Sequence, residues 1–194
     1  MSTNIVLAGV GGQGTVLASR LISDAAMAKG LPVKAAETIG MAQRGGSVMS
    51  HVRIGEDVHS PLVGEGRADL LIAFEPAEAA RRLVYLKPDA TAIVADAPVI
   101  PVSAMTGGPA YRKEEIFSFL EKKVPAAHLV FVDAAKAAED LGSAKCLNVV
   151  LLGAALRSGA LGLSEADLED AIRHRVPERF WDLNLRALAY TATH

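Results

Sequence analysis

Cysteine is almost absent from this chain, which has a single one, Cys146, in 194 residues. One cysteine excludes an intrachain disulfide, a Cys-ligated iron–sulfur cluster and a Cys-rich zinc site built within the chain. We therefore expect no cysteine-bound metal within this polypeptide alone. If the protein takes part in electron transfer, the metal must be carried by another chain.

Long apolar runs and an excess of positive charge are also lacking. The 194 residues are 51% hydrophobic and 22% charged, with a formal net charge of −2, which is typical of a soluble globular domain and gives no reason to expect nucleic acid or an anionic membrane as a partner. The apolar stretch Cys146–Leu156 is shorter than the ~18 residues that cross a bilayer. Met1–Asn4 lacks the positive region of a signal peptide, so we expect a cytoplasmic protein.

Motifs that carry catalytic side chains are missing as well. There is no Tyr-x-x-x-Lys pair, no Gly-x-Ser-x-Gly elbow, no His-Glu-x-x-His metal helix and no Gly-Lys-Ser/Thr phosphate loop. His174 lies between Arg173 and Arg175 and is expected to be solvated at a helix end. We therefore predict no catalytic residue, so that an enzyme assignment would be that of a subunit which is not active alone.

A glycine-rich turn stands near the N-terminus. The sequence Gly9-Val-Gly-Gly-Gln-Gly14 follows a buried strand candidate, Ile5–Ala8, and from Thr15 to Gly30 apolar residues recur at helical spacing. Such a turn offers unpaired N–H groups and the positive end of a helix dipole to a phosphate, a carboxylate or the carbonyls of a partner. A packing turn that binds nothing is the alternative interpretation.

The glycines of this turn have different expected roles. Gly9 lets the chain leave the strand sharply, Gly11 lets a ligand approach the backbone, and Gly14 lets helix and strand pack closely. The first part of the candidate site is Gly9, Gly11, Gly12, Gln13, Gly14 and Thr15.

The second strand candidate, Val33–Glu37, ends in an acidic residue where a dinucleotide-binding fold places its ribose-binding carboxylate. The spacing from Gly11 is a few residues longer than the usual ~20, and no crossover-helix pattern follows. A solvated strand end is therefore the favoured interpretation of Glu37, with ribose binding as the alternative.

A second glycine-containing segment precedes a strand that period-two alternation predicts over Val48–Ile54. The connection to this strand is too short for a parallel crossover, which needs a dozen or more residues, so a mixed sheet is predicted. Arg44 could bind a carboxylate or phosphate with its planar fork, or be a solvated turn residue. His51 is expected to be structural. The second part of the candidate site is Gln43, Arg44, Gly45, Gly46 and Ser47.

Strands and helices alternate in the middle of the chain, and helices follow from Ala134. The segment Pro98–Pro109 is predicted to be an irregular loop that acts as a lid, a partner-binding arm or a connector. We predict an α/β fold, a three-layer α/β/α Rossmann-like arrangement with a mostly parallel, mixed sheet and a helical C-terminal third. It forms one domain over 1–194, with the sheet core in 1–133 and the helical part in 134–194. Further strands are predicted at Asp69–Phe74, Thr91–Ala95 and Leu129–Val132, with a turn at Lys87–Asp89 before the second of them. Helices are predicted at Pro76–Leu83, Tyr111–Lys123 and Ser143–Arg157, with a capping box at Ser164 and a last helix opened by Pro177.

Together, the turn Gly9–Gly14, the segment Gln43–Ser47 and the strand that follows it resemble the gamma-type domain of the 2-oxoacid:ferredoxin oxidoreductases. The likeness is sharpest over roughly the first 55 residues. A free-standing chain of this length is most similar to the small beta subunits of the indolepyruvate type.

The resemblance implies a complex that converts a 2-oxoacid, such as indolepyruvate or another aryl pyruvate, and coenzyme A to an acyl-CoA and CO2 while it reduces ferredoxin. It implies that thiamine diphosphate and 4Fe–4S clusters lie on a large alpha subunit, so that this chain alone would hold no metal and no cofactor. It also implies that this chain closes over the thiamine site or helps to receive coenzyme A. From the residues alone, two alternatives stay open: a stand-alone NAD(P)- or flavin-dependent reductase, and a non-enzymatic dinucleotide-binding module.

Overall fold

The structure is a computed structural model, and it describes residues 2–38 and 45–190. Within these residues six strands form one sheet in the order β2-β3-β1-β4-β5-β6. Strands β1, β4, β5 and β6 are parallel neighbours, whereas β3 is antiparallel to both β1 and β2. The mixed sheet predicted from the short connection before β3 is thus confirmed. The strands are β1 Thr3–Val10, β2 Val33–Thr38, β3 Ser47–Ile54, β4 Ala68–Ala73, β5 Leu86–Ala95 and β6 Leu129–Val132.

Helices cover both faces of the sheet, which gives the predicted three-layer arrangement. On one face α1 and α5–α8 pack on side chains such as Ile5 and Leu7, and on the other face α2 and α4 pack on Val6 and Ala8. Both faces of β1 are buried because successive side chains of a strand point to opposite sides. The helices are α1 Thr15–Ala28, α2 Pro76–Arg82, α3 Val102–Met105, α4 Lys113–Lys123, α5 Ala134–Leu141, α6 Leu147–Arg157, α7 Glu165–Arg175 and α8 Trp181–Ala189.

Local signals explain several of these boundaries. Pro76 stands at the first position of α2, and the Glu75 carboxylate caps that helix by accepting a hydrogen bond from the Glu78 N–H. The predicted capping box of α7 is confirmed, with the Ser164 and Asp167 side chains each bonded to the other residue's backbone N–H. No helix of residues 2–38 and 45–190 is long and apolar enough to cross a bilayer.

Three details of the predicted elements were wrong. The turn expected around Pro88 belongs to β5, because the register with β4 shifts between the pairs Ala68↔Leu86 and Leu70↔Thr91. Pro88, which has no N–H to donate, therefore lies where the hydrogen bonding between β4 and β5 is interrupted. The segment Pro98–Pro109 contains the short helix α3, and the helix predicted from Ser143 begins as a 3-10 turn before α6.

Candidate functional site

The two glycine-containing turns lie side by side at one end of the sheet. Val10 at the end of β1 is paired with Ser47 at the start of β3, and the Gly11 N–H donates a hydrogen bond to the Gly46 carbonyl oxygen at 2.9 Å. The parallel strands β1, β4 and β5 all end here, and open α/β sheets bind ligands at this end. We name residues 9–15 and 45–47 the glycine edge.

Two predicted site residues cannot be placed. Gln43 and Arg44 lie outside the described residues, which stop at 38 and resume at 45. Their part in the site therefore stays a prediction.

The Gln13 side chain spans the gap between the ends of β1 and β4. Its Oε1 accepts a hydrogen bond from the Val10 N–H at 2.7 Å, and its Nε2 donates one to the Phe74 carbonyl oxygen at 2.9 Å. The chain leaves β1 toward one face of the sheet and β4 toward the other, so this gap is the topological switch point. Because the protein's own side chain fills it, Gln13 acts as a positioning residue that fixes the turn.

Gly14, the residue directly before α1, lies in the left-handed region, with φ 85° and ψ 22°. A Cβ at this position would lie 2.8 Å from Nδ2 of Asn148, a residue of α6. The sequence predicted that Gly14 allows helix and strand to approach, but the close neighbour is a side chain of another helix. Asn148 is 4% exposed, and its Oδ1 finds no hydrogen-bond partner in the described part of the chain.

The turn is packed at its base and open at its tip. A Cβ on Gly9 would meet Gln13 Oε1 at 2.8 Å and Phe74 Cβ at 3.0 Å, whereas nothing lies within 4 Å of a Cβ on Gly12. Thr15, the first residue of α1, is buried, and the helix has neither a side-chain cap nor an acidic residue in its first turn. The positive end of the α1 dipole is therefore left unneutralised by this helix's own side chains.

Ser47 is held by a charged cluster. Its hydroxyl donates a hydrogen bond to Glu78 Oε2 at 2.5 Å and accepts one from Arg82 Nη2 at 2.9 Å. Glu78 is 2% exposed, and its other oxygen pairs with Arg81. A buried carboxylate requires such partners, so Ser47 helps to satisfy a charge inside the protein.

Glu75 binds residues 98–109, which we name the proline-rich segment, at the same end of the sheet. Its carboxylate accepts hydrogen bonds from the Tyr111 hydroxyl at 2.5 Å and from the Val99 N–H at 3.4 Å. Burial, followed by the hydrogen bond to Glu75, raises the pKa of Tyr111 above its ordinary value of 10.0. The hydroxyl therefore stays a donor at neutral pH.

A cavity of about 210 Å³ lies between the glycine edge and this segment. The cavity is lined by segments that the sequence analysis identified separately. The first turn and the start of β3 form one wall, and the proline-rich segment forms another. Residues of these walls are Val10, Gly45, Ser47, Val99, Pro101 and Tyr111.

Glu37 is not arranged for ribose binding. Its Oε1 accepts a hydrogen bond from the Ser19 hydroxyl at 3.3 Å and lies 3.5 Å from Arg20 Nε, both on α1. The antiparallel strand β3 also separates β2 from β1, whereas a dinucleotide-binding unit has these two strands as parallel neighbours. With Gln13 filling the switch point, this geometry does not fit a bound dinucleotide.

His51 has the structural role that was predicted. It is 3% exposed, and its Nδ1 accepts a hydrogen bond from the Val63 N–H at 3.2 Å. The ring also makes an edge contact with Tyr85 at 5.7 Å. Burial, and then the positive charge of Arg82, lowers the pKa of His51, so the neutral ring is favoured in the folded protein.

No metal-binding group of three or more His, Cys, Asp or Glu side chains occurs within residues 2–38 and 45–190. Cys146 is buried, and its Sγ donates to the Ser143 carbonyl oxygen at 3.2 Å. Burial raises the pKa of this thiol, which keeps it in the less reactive protonated form.

Four residues at this end escaped the sequence reasoning as site residues: Glu75, Glu78, Tyr111 and Asn148. Glu75 carried a usable signal, because an acidic residue directly after a buried strand and before a helix-opening proline lies at the carboxyl end of the sheet. The other three come to the site through tertiary packing, which spacing does not indicate.

Comparisons with known proteins show which family this sequence matches. A family described as Pyruvate ferredoxin/flavodoxin oxidoreductase matches residues 4–193. Indolepyruvate oxidoreductase subunit IorB of Archaeoglobus fulgidus is 44% identical over 189 residues, covering 97% of this chain and 92% of that protein. The subunit of the same name in Thermococcus kodakarensis is 40% identical over 95% of this chain and 91% of its own length.

Solved structures show the same fold at lower identity. The gamma subunit of a keto/oxoacid ferredoxin oxidoreductase from Geobacter sulfurreducens has a TM-score of 0.68 at 24% identity, with 97% of this chain and 93% of that one covered. A pyruvate oxidoreductase subunit from Thermotoga maritima has a TM-score of 0.71 at 23% identity, with the same coverage. The family match over nearly the whole sequence and the relatives at 40% identity or more lead to one conclusion: the chain belongs to the pyruvate ferredoxin/flavodoxin oxidoreductase family.

Proposed function

We propose that this chain is the small subunit of an indolepyruvate-type 2-oxoacid:ferredoxin oxidoreductase. The complex would convert indolepyruvate or another aryl pyruvate, together with coenzyme A, to the acyl-CoA and CO2 while it reduces ferredoxin. The observation that carries the proposal is 44% identity over 97% of the chain with a relative named as an indolepyruvate oxidoreductase subunit. The complex would work in the cytoplasm, and this chain would not be active alone.

The cofactors would reside on a large alpha subunit. Thiamine diphosphate and 4Fe–4S clusters there would supply decarboxylation and electron transfer. One cysteine in 194 residues is too few for the thiolates that hold a cluster, and Cys146 is buried and bonded within its own turn. This supports a division of roles in which the small subunit forms one wall of the active site and the large subunit carries the groups that react.

The glycine edge would form that wall. Its support is the open tip at Gly12 above a base that Gln13 holds in place by hydrogen bonds to two strands. The cavity beside Ser47 and the proline-rich segment that closes it would belong to the same surface. Gln43 and Arg44 would extend the wall, since they immediately precede Gly45 in the chain.

Co-expression with the large subunit tests the assignment. The two chains should purify together, and the complex should reduce ferredoxin with indolepyruvate faster than with pyruvate or 2-oxoisovalerate. Failure of the chains to associate, or oxidation of a 2-oxoacid by this chain alone, would contradict the proposal.

A substitution tests whether Arg44 belongs to this active-site wall. Arg44→Ala should lower turnover in the assembled complex, whereas Arg179→Ala, on an exposed 3-10 turn elsewhere in the chain, should not. Unchanged turnover and assembly in Arg44→Ala would remove this residue from the site.

A further inference from the structure

An open groove runs between α2 and α4, which lie side by side on the sheet face that carries Val6 and Ala8. Two adjoining cavities of about 430 and 630 Å³ make up this groove. They share Ala80 and Arg81 of α2 and Phe119 of α4. We name these two cavities together the helix groove.

Large apolar side chains are exposed along the helix groove. Phe119 lines both cavities and is 42% exposed, and Val84, which lines the smaller one, is 50% exposed. The larger cavity is lined by Ser103 of α3, a helix that exposes 71% of Val102 and 66% of Met105. Apolar surface of this kind, gathered in one region, is typical of a site that another protein covers.

Positive side chains line the smaller cavity. Arg81, Lys87 and Lys123 are among its residues, and within the described part of the chain no Asp or Glu lines it. Arg81 and Lys87 each pair with one carboxylate of the chain, and that of Glu78 is buried. The Lys123 ammonium lies 5.9 Å from the centre of the Phe119 ring, and no carboxylate of residues 2–38 and 45–190 pairs with it. On a chain with a net charge of −2, this positive rim fits an apolar partner surface that carries carboxylates.

The helix groove continues into the cavity beside the glycine edge. The larger of its two cavities shares four lining residues with that cavity: Ala77, Arg81, Pro101 and Tyr111. The hydrogen bond from the Tyr111 hydroxyl to the buried Glu75 holds this junction in place. The groove therefore extends the surface that the proposed function places against the large subunit.

We propose that the helix groove is a docking site for an amphipathic helix of the large subunit, which presents apolar side chains on one face and carboxylates beside them. The choice of the large subunit rests on the proposed function. A helix docks in such a groove by placing side chains at i, i+3, i+4 and i+7 into apolar pockets. The two cavities that meet at Phe119 provide these pockets, and Lys123 pairs with a carboxylate at their rim.

Hydrogen exchange tests the docking site without any substitution. Backbone amide exchange is measured on the purified chain alone and on its complex with the purified large subunit. Residues 76–85 and 113–125 should exchange at least about fivefold more slowly in the complex, because docking suppresses local opening of both helices. Unchanged exchange in both segments of a complex that forms would overturn the docking site.

Phe119→Ala tests the apolar part of the helix groove. It should weaken binding to the large subunit at least about tenfold, since a large side chain at the centre of an interface carries much of the affinity. Phe180→Ala is the matched control, because Phe180 is 43% exposed and lies on a 3-10 turn outside both cavities. Wild-type affinity in Phe119→Ala, or an equal loss in both variants at equal stability in urea, would overturn the docking site.

Lys123→Glu tests the charge of the helix groove. At low salt it should weaken binding by roughly threefold to tenfold, and the difference from wild type should shrink as salt is added. Lys122→Glu is the matched control, since Lys122 is the preceding residue of α4, is exposed and lines neither cavity. Equal effects of the two charge reversals would overturn the assignment of carboxylates to the partner helix.

The same measurements separate this inference from the proposed function. If the wild-type chain and the large subunit do not associate, the proposed function fails and the docking site fails with it. If the wild-type complex forms and turns over while exchange in α2 and α4 is unchanged, the docking site alone is refuted. Self-association of the chain alone that is lost in Phe119→Ala would identify a second copy as the occupant and overturn the large-subunit assignment.

Discussion

Replacement of Gly14 by alanine should lower the free energy of unfolding for two separable reasons. The first is backbone strain, since φ is 85° at this position and a left-handed conformation costs a residue with a Cβ about 1–2 kcal/mol. The second is a steric clash, since the new methyl group would lie 2.8 Å from Asn148 Nδ2. Overpacking in a filled site costs about 1–3 kcal/mol, so the sum is roughly 2–5 kcal/mol.

A second glycine of the same turn separates the two effects. Gly12 has φ 102° and nothing within 4 Å of a Cβ, so Gly12→Ala should show the strain alone, about 1–2 kcal/mol. The excess cost of Gly14→Ala is then the clash. Combining Gly14→Ala with Asn148→Ala should remove that clash, giving a coupling free energy of about 1–3 kcal/mol in a double-mutant cycle.

The measurement is urea unfolding of the four proteins of the cycle and of Gly12→Ala, supported by thermal midpoints. For a chain of this size 1 kcal/mol corresponds to roughly 2–4 °C, so Gly14→Ala should lower the midpoint by clearly more than Gly12→Ala. Two results would refute the reasoning: equal costs of the two glycine replacements, or a cycle that is additive within about 0.5 kcal/mol.

Two further substitutions probe the buried polar groups. Tyr111→Phe removes the hydrogen bond to Glu75, which is 1% exposed, and should cost about 1–3 kcal/mol and speed proteolysis within 98–109. Tyr190→Phe, which loses a bond to Asp140 at the surface, should cost less, and an equal cost would contradict the role of Glu75. His51 has a pKa below its ordinary value of 6.5, so its contribution to stability is complete above that pH and is lost as the pH falls toward the folded-state pKa. His51→Gln should flatten the dependence of unfolding free energy on pH between about 7 and 5, and a slope equal to that of the wild type would contradict the assignment.

The sequence was informative where a residue's role depends on its neighbours along the chain. The glycine turn was recognisable because an apolar strand precedes Gly9 and a helical pattern starts at Thr15. The antiparallel β3 followed from the short connection that leads to it, since too few residues are available for a crossover. The start of α2 at Pro76 and the capping box at Ser164 could be predicted for the same reason.

Features that depend on distant parts of the chain could not be predicted. Gln13 reads as an ordinary turn residue, yet its partner Phe74 is 61 residues away. Asn148 reads as an interruption in an apolar helix, and its closeness to Gly14 arises only when α6 packs beside α1. Pro88 indicated a turn, but the shift in register within β5 accommodates it in a strand. In each case packing outweighed local preference.

The outer strands of the sheet also affect how this chain can associate. Strand β6 has four residues, and β2, the other outer strand, carries Lys34 and Glu37. A very short edge and a charged edge are poor templates for adding a strand from a second molecule. Accidental aggregation through sheet extension is thereby discouraged, and a companion subunit is expected to recognise loops and helix surfaces instead.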